Sequence, residues 1–239
     1  MTDGRRSSHA ARIPVYLEMG EKRTFAGAIE WPGWCRSGRD EASALQALVD
    51  YGPRYQRAVQ FAALAFKPPK GLSELEMIER LKGNSTTDFG APGTPPRADE
   101  TAVDAAALRR YESLMRACWR TFDAAVAVAR GKQLRTGPRG GGRALKKIID
   151  HVREAEAAYI GRLGWWELLG KGSSAARHDL QQLRAEALQA LAASVKGEIL
   201  AVGPRGGKHW SARYFVRRSA WHVLDHAWEI EDRIVADVD

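Results

Sequence analysis

The sequence predicts an α+β fold, in which a small α/β unit at about 12–82 precedes an all-α four-helix bundle at about 99–239. Three observations carry that reading. Short β-type runs crowd the first third of the chain. A stretch dominated by Gly, Pro, Thr and Ser interrupts it at 83–98 and has the composition of a linker. From Asp99 onward, apolar residues recur at helical spacing in four segments of similar length.

The elements follow in order. IPVYLEM (13–19) and TFAGAIEW (24–31) read as strands joined by the polar turn GEKR. WPGWCRSG is rich in turn formers. A helix starts near Asp40 and carries Leu45, Leu48 and Val49 at helical spacing, until Gly52-Pro53 breaks it. A second helical stretch, RYQRAVQFAALAF, ends at KPPKG. LSELEMIERL fits strand or helix and is read as a strand that completes the small sheet.

The four bundle helices are expected at about 99–130, 143–163, 174–196 and 211–235. The first places Leu108, Tyr111, Met115, Cys118, Phe122, Ala125 and Ala129 on one stripe. The second carries Ile148, Val152, Ala155 and Tyr159. The third carries Leu180, Leu183, Ala187, Leu191 and Val195, and the fourth Val216, Ala220, Val223, Ala227, Ile230 and Ile234. GPRGG occurs twice, at 137–141 and 203–207, each time ahead of a histidine-bearing helix.

Composition narrows the function classes. The 239 residues are 44% hydrophobic, enough for a real core, and the formal charge of +8 favours anionic partners, although a solvated Arg-rich face is the simpler account. Cys35 and Cys118 show no redox or metal spacing, which fits a reducing compartment. The basic N-terminus has no apolar run after it, and no segment reaches the length of a membrane span. A cytoplasmic location without membrane attachment is therefore expected.

The chemistry lies in the histidines. His222 and His226 are four apart on one helical row, at the edge of the apolar arc of their helix. His151, on the second bundle helix, shares its row with Ala144, Ile148, Ala155 and Ala158, so that row is expected to face inward and to leave space. Three imidazoles from two helices suit a divalent ion with open positions, as in catalytic rather than structural sites. A hydrogen-bonded core histidine and a chance HxxxH are the competing accounts. His9 falls in a tail, and His178 and His209 are expected at the surface. Glu229, and less so Glu154, stand where a carboxylate orients a ligand or moves a proton, which makes Glu229 the candidate catalytic group.

IIDHVREAEAAYIGRLG and SAWHVLDHAWEIED resemble the DinB-like family of four-helix bundle metalloproteins over about 99–239. In that family one histidine comes from the second helix and an HxxxH pair from the last, which corresponds to His151, His222 and His226. The resemblance implies a divalent metal cofactor, zinc or nickel above others. It also implies a thiol-dependent S-transferase or isomerase acting on a small electrophile with a low-molecular-weight thiol. The unit at 12–82 resembles a HicB-like domain through its β-β-α order and IEWPGWCRSGRDEASALQAL. HicB antitoxins add a DNA-binding segment, and nothing here reads as one, so that resemblance speaks to fold.

The GPRGG loops lie outside the DinB-like pattern. Glycine-rich turns ahead of helix starts attract anions, so Arg139 and Arg205 are candidate ligand-binding residues for an anionic or thiol small molecule. Flexible loops with solvated charges are the simpler account. Trp221, Leu224 and Trp228 lie beyond the main apolar arc and are expected either to pair two copies as a homodimer or to contact the N-terminal unit. A non-enzymatic reading competes with the enzyme: a HicB-like interaction module joined to a bundle sensor. Basic residues are spread along the chain and no RNA-binding motif is present, so nucleic acid is not the expected partner.

Overall fold

The computed structural model describes residues 12–62, 64–136, 142–170 and 178–235. The protein is α+β and divides into two compact units. One contains residues up to 53 together with 67–96, and the other contains 54–66 together with 97 onward.

The first unit is a four-stranded mixed sheet with helices. Strands β1 (Ile13–Met19), β2 (Thr24–Ala28), β3 (Cys35–Gly38) and β4 (Leu75–Lys82) lie in the order β3-β2-β1-β4. β1 pairs antiparallel with β2 and parallel with β4, with a shift of register between Val15 and Tyr16. The ambiguous segment before residue 82 is thus a strand, as read from the sequence. β3 is an addition: CRSG lies in the turn-rich stretch and is too short for any period to show. Gly27 on β2 faces the Tyr16 ring so closely that a Cβ there would stand 2.6 Å from a ring carbon.

Helix α1 (Glu41–Asp50) starts at Asp40, whose carboxylate accepts from the Ser43 backbone N–H while the Ser43 hydroxyl accepts from the Asp40 N–H. It buries Leu48 and Val49. Trp34 is fully buried and donates its indole N–H to the Leu48 carbonyl at 2.8 Å.

Residues 83–96, expected as linker, fold into this first unit instead. The cause is Glu18 on β1. Its carboxylate is fully buried and accepts from the Thr87 hydroxyl, from the Gly93 N–H at 2.8 Å and from the Thr94 N–H at 3.2 Å. Thr87 sits in the short helix α3 (Ser85–Phe89), started by an Asn84 capping box.

The second unit takes in most of helix α2 (Gly52–Val59), which follows α1 after a break at Tyr51. Its long helices are α4 (Ala105–Ala129), α5 (Leu145–Leu163), α7 (Leu180–Val195) and α8 (Ala212–Arg233), with the short α6 (Trp165–Leu169) after α5. Asp104, Asp179 and Ser211 cap α4, α7 and α8 through their side chains. α8 packs on α4, α5 and α7, and α5 also packs on α7. Burial on several sides follows from that central position: α8 buries Phe215, Val216, Trp221, Val223, Leu224, Ala227, Trp228 and Ile230.

Trp221, Leu224 and Trp228 are therefore core residues and not an outer pairing face. The Trp228 carbonyl accepts from Arg54, whose guanidinium also holds Glu231 and Asp232. A buried ion pair ties the segment before α4 to α8, where Arg217 grips Asp99 through two bonds of 2.7 Å. Both cysteines are buried, and burial pushes the Cys118 thiol up to about 12, so it behaves as a core side chain. Among the described residues, no helix is long and apolar enough to cross a membrane.

Candidate metal centre

Two helical rows build the site. On α5, His151, Ala155 and Tyr159 stand at successive turns. On α8, Arg218, His222 and His226 do the same. The rows meet with opposite chain sense. The His151 ring lies 5.1 Å from His222 and 4.9 Å from His226 between centroids, and Tyr159 lies 5.5 Å from His222. Ala155, between His151 and Tyr159, is the small side chain of its row.

The three imidazoles predicted from sequence do converge. One nitrogen from each lies within 4.8 Å of the others, and His151 Nε2 and His222 Nε2 stand 3.2 Å apart. Two nitrogens bound tetrahedrally at about 2.0–2.1 Å from one zinc ion would be separated by roughly 3.3 Å. His151, His222 and His226 can thus hold a metal ion.

Electrostatics favour the neutral, ligating form. Burial lowers the His222 pKa well below its ordinary value, and the neighbouring His226, Arg218 and His151 add to the effect. Burial also lowers His151, helped by His226 and Arg143. Burial and nearby positive charge disfavour protonation of His151 and His222, and the neutral imidazole is the form whose lone pair can ligate a metal cation.

The third ring is oriented by a relay on α8. Arg233 donates to Glu229 Oε1 at 2.6 Å, and Glu229 Oε2 stands 2.8 Å from His226 Nδ1. An Nδ1–H donating to that carboxylate leaves Nε2 free for the ion. The bond to His226, with Arg233 behind it, holds the Glu229 carboxyl below its usual range. Both Glu229 oxygens are engaged, so it positions a ligand here. Arg233 in turn donates to the Arg135 and Arg143 carbonyls. Glu154 is exposed beside Arg153, a solvated helix residue.

The other sequence candidates lie elsewhere. Arg139 falls outside the described residues. Arg205 is exposed in a tight turn closed by the Gly203 N–H on the Gly207 carbonyl, and among the described residues no hydrogen bond links it to the imidazoles. His178, expected at the surface, pairs with Glu186 and is part-buried. His209 is held between the Leu200 carbonyl and Glu167.

From sequence, Arg218 stands only among the cations after the second GPRGG and Tyr159 only on an apolar stripe, and Glu156 is missed. Tyr159 and Arg218 share the histidine rows and could have been found by extending each row by one or two turns. Glu156 lies away from the imidazoles in the helical unit. It is buried beside Trp119, which donates its indole N–H at 2.7 Å, and burial pushes its carboxyl up to about 7. It follows Ile148 and Val152 at intervals of four, a row in which a carboxylate is not expected. Trp119 also lines a cavity of about 470 Å³ together with Arg116, Arg120, Asp123, Arg184 and Leu188.

Comparison with models of known families, with curated proteins and with solved structures finds no match to this chain.

Proposed function

We propose that the helical unit is a divalent-metal centre of the DinB-like type serving a thiol-dependent transfer or isomerisation of a small electrophile, with zinc or nickel as its ion. The convergence of His151, His222 and His226 from two helices carries this reading. When bound, such an ion offers open positions to a thiol or water and lowers its pKa toward neutrality.

This chain's own residues do the remaining work. His151, His222 and His226 supply three neutral nitrogen donors, which leaves a divalent ion its full positive charge. Glu229 fixes the tautomer of His226 and Arg233 fixes Glu229. The part-buried Tyr159 ring and the buried Trp221 ring pack near His222, at 5.5 and 6.2 Å between centroids, and limit the access of water to it. In this reading the sheet unit is a HicB-like domain, supported by its β1–β2 hairpin, although β3 intervenes before α1.

The test is elemental analysis of the purified protein beside the His222→Ala, His226→Ala double variant. The expected result is close to one ion per chain in the parent and near none in the variant, with thiol-dependent turnover in the parent alone. Absence of metal from both, with salt-dependent nucleic-acid binding, would favour the non-enzymatic module instead.

A further inference from the structure

Arg218 stands out among the arginines of α8. Arg213 donates to the Tyr111 hydroxyl and the Thr101 carbonyl, Arg217 to Asp99, and Arg233 to Glu229. Arg218 has no oxygen acceptor among the described residues. Its guanidinium carbon lies 5.3 Å from the centre of the Tyr159 ring and 4.6 Å from that of Trp221. Its Nη1 is fully buried and has no hydrogen-bond partner.

Arg218 is part-exposed, but its buried Nη1, shielded beside two aromatic rings and lacking an acceptor, is costly unless something completes it. The rings supply cation–π attraction but accept no N–H bond in the plane of the fork. A planar anion does both tasks, since a carboxylate takes two parallel N–H bonds from one guanidinium.

Position tells what the anion belongs to. Arg218 precedes His222 by four residues, so its Cα lies about one turn along the same row, about 6 Å of rise. Tyr159 touches both, flanking the Arg218 guanidinium on one side and the His222 ring on the other. Arg218 is also among the charges that depress His222. Because both lie within about 5.5 Å of the Tyr159 ring centre, a small molecule with one end at the imidazole centre and a carboxylate at the other reaches both.

We propose that Arg218, between Tyr159 and Trp221, is the carboxylate subsite of the metal centre, and that its substrate or co-substrate is a small carboxylic acid that also bears a metal-binding atom. The proposal rests on the reading of the three histidines as a metal site.

Cobalt(II) in place of the native ion gives a readout independent of turnover, because a thiolate that joins the ion adds a near-ultraviolet charge-transfer band. The cobalt-loaded protein is titrated with 3-mercaptopropionate and with its uncharged isostere 3-mercaptopropionamide. The carboxylate is expected to bind at least tenfold more tightly. Arg218→Met should remove that preference, leaving cobalt stoichiometry and amide affinity within about twofold. Arg218→Lys should recover part of it.

Cobalt bound with equal response to both thiols, or to neither, overturns the proposal and leaves the metal site standing. The same result follows if Arg218→Met keeps the full preference. The parent protein's comparison of the two thiols decides the matter even if Arg218→Met does not fold. Failure of the parent to bind cobalt at all overturns the metal reading and the subsite together.

Discussion

Glu18 and Glu156 are both carboxylates buried to 4% exposure or less, one in the sheet unit and one in the helical unit, and their surroundings differ. Glu18 gathers a hydroxyl and two backbone N–H groups from residues 87–94. Glu156 accepts one indole N–H, and its Oε2 has no partner. The contrast extends to the whole units. The buried side-chain atoms without partners among the described residues belong to Glu156, Trp165, Arg184, Arg218 and His222, all in the helical unit. Chain atoms satisfy the sheet unit's interior. The helical unit keeps open valences, among them Arg218 Nη1 near the imidazoles and His222 Nδ1, the ring nitrogen that does not face His151, where a ligand or water would complete them.

Glu18→Ala should break the contrast most severely. It leaves the Thr87 hydroxyl and two N–H groups buried without an acceptor, and a loss of about 3–5 kcal/mol is expected in urea unfolding. A loss under 1 kcal/mol would mean that residues 83–96 are not held by this carboxylate.

Glu156→Gln should act in the opposite direction. Burial pushes this carboxyl up to about 7 from the ordinary 4.5, so the folded protein keeps this proton where the unfolded chain has lost it. Stability is then highest near pH 4, falls as pH rises from about 4.5 to about 7, and levels off beyond. The drop is up to about 3 kcal/mol. The glutamine, which cannot ionise, should flatten this slope and gain most of that amount at pH 8 while changing little at pH 4. Thermal melts across that range check it, and a parent protein with no slope there would refute it.

At the imidazoles, Glu229→Ala should lower metal affinity by about 10–100-fold without removing a ligand, as read by chelator competition. An unchanged affinity would show that His226 needs no orienting carboxylate. The smallest effect is expected at the exposed Arg80–Glu41 pair of the sheet unit, where Arg80→Ala should change stability by no more than about 0.5 kcal/mol.

The histidine triad was legible because each ring sits on a helical row that spacing alone defines. The four bundle helices were legible for the same reason, with boundaries that tightened by up to six residues once caps at Asp104, Asp179 and Ser211 were visible. What escaped depends on pairing between distant parts. β3 exists because β2 supplies its hydrogen bonds. Residues 83–96 have a linker's composition and yet are folded, because Glu18, some seventy residues earlier, draws them in. Residues 54–66 have an ordinary helical pattern, and nothing in it tells that Arg54 will hold Glu231 and Asp232. Glu156 was hidden by its neighbours, since Ala155 and Tyr159 offered a plausible apolar stripe one position away.

The path of the chain between its units has a consequence for ancestry. The backbone passes from one unit to the other after residue 53, returns after 66, and passes over again after 96. No single recombination breakpoint can therefore detach either unit whole. A gene fragment opening at residue 97 would encode every imidazole ligand yet leave behind the arginine that fastens the end of α8. A history in which a finished bundle was simply appended to a finished sheet would require later interleaving of the two.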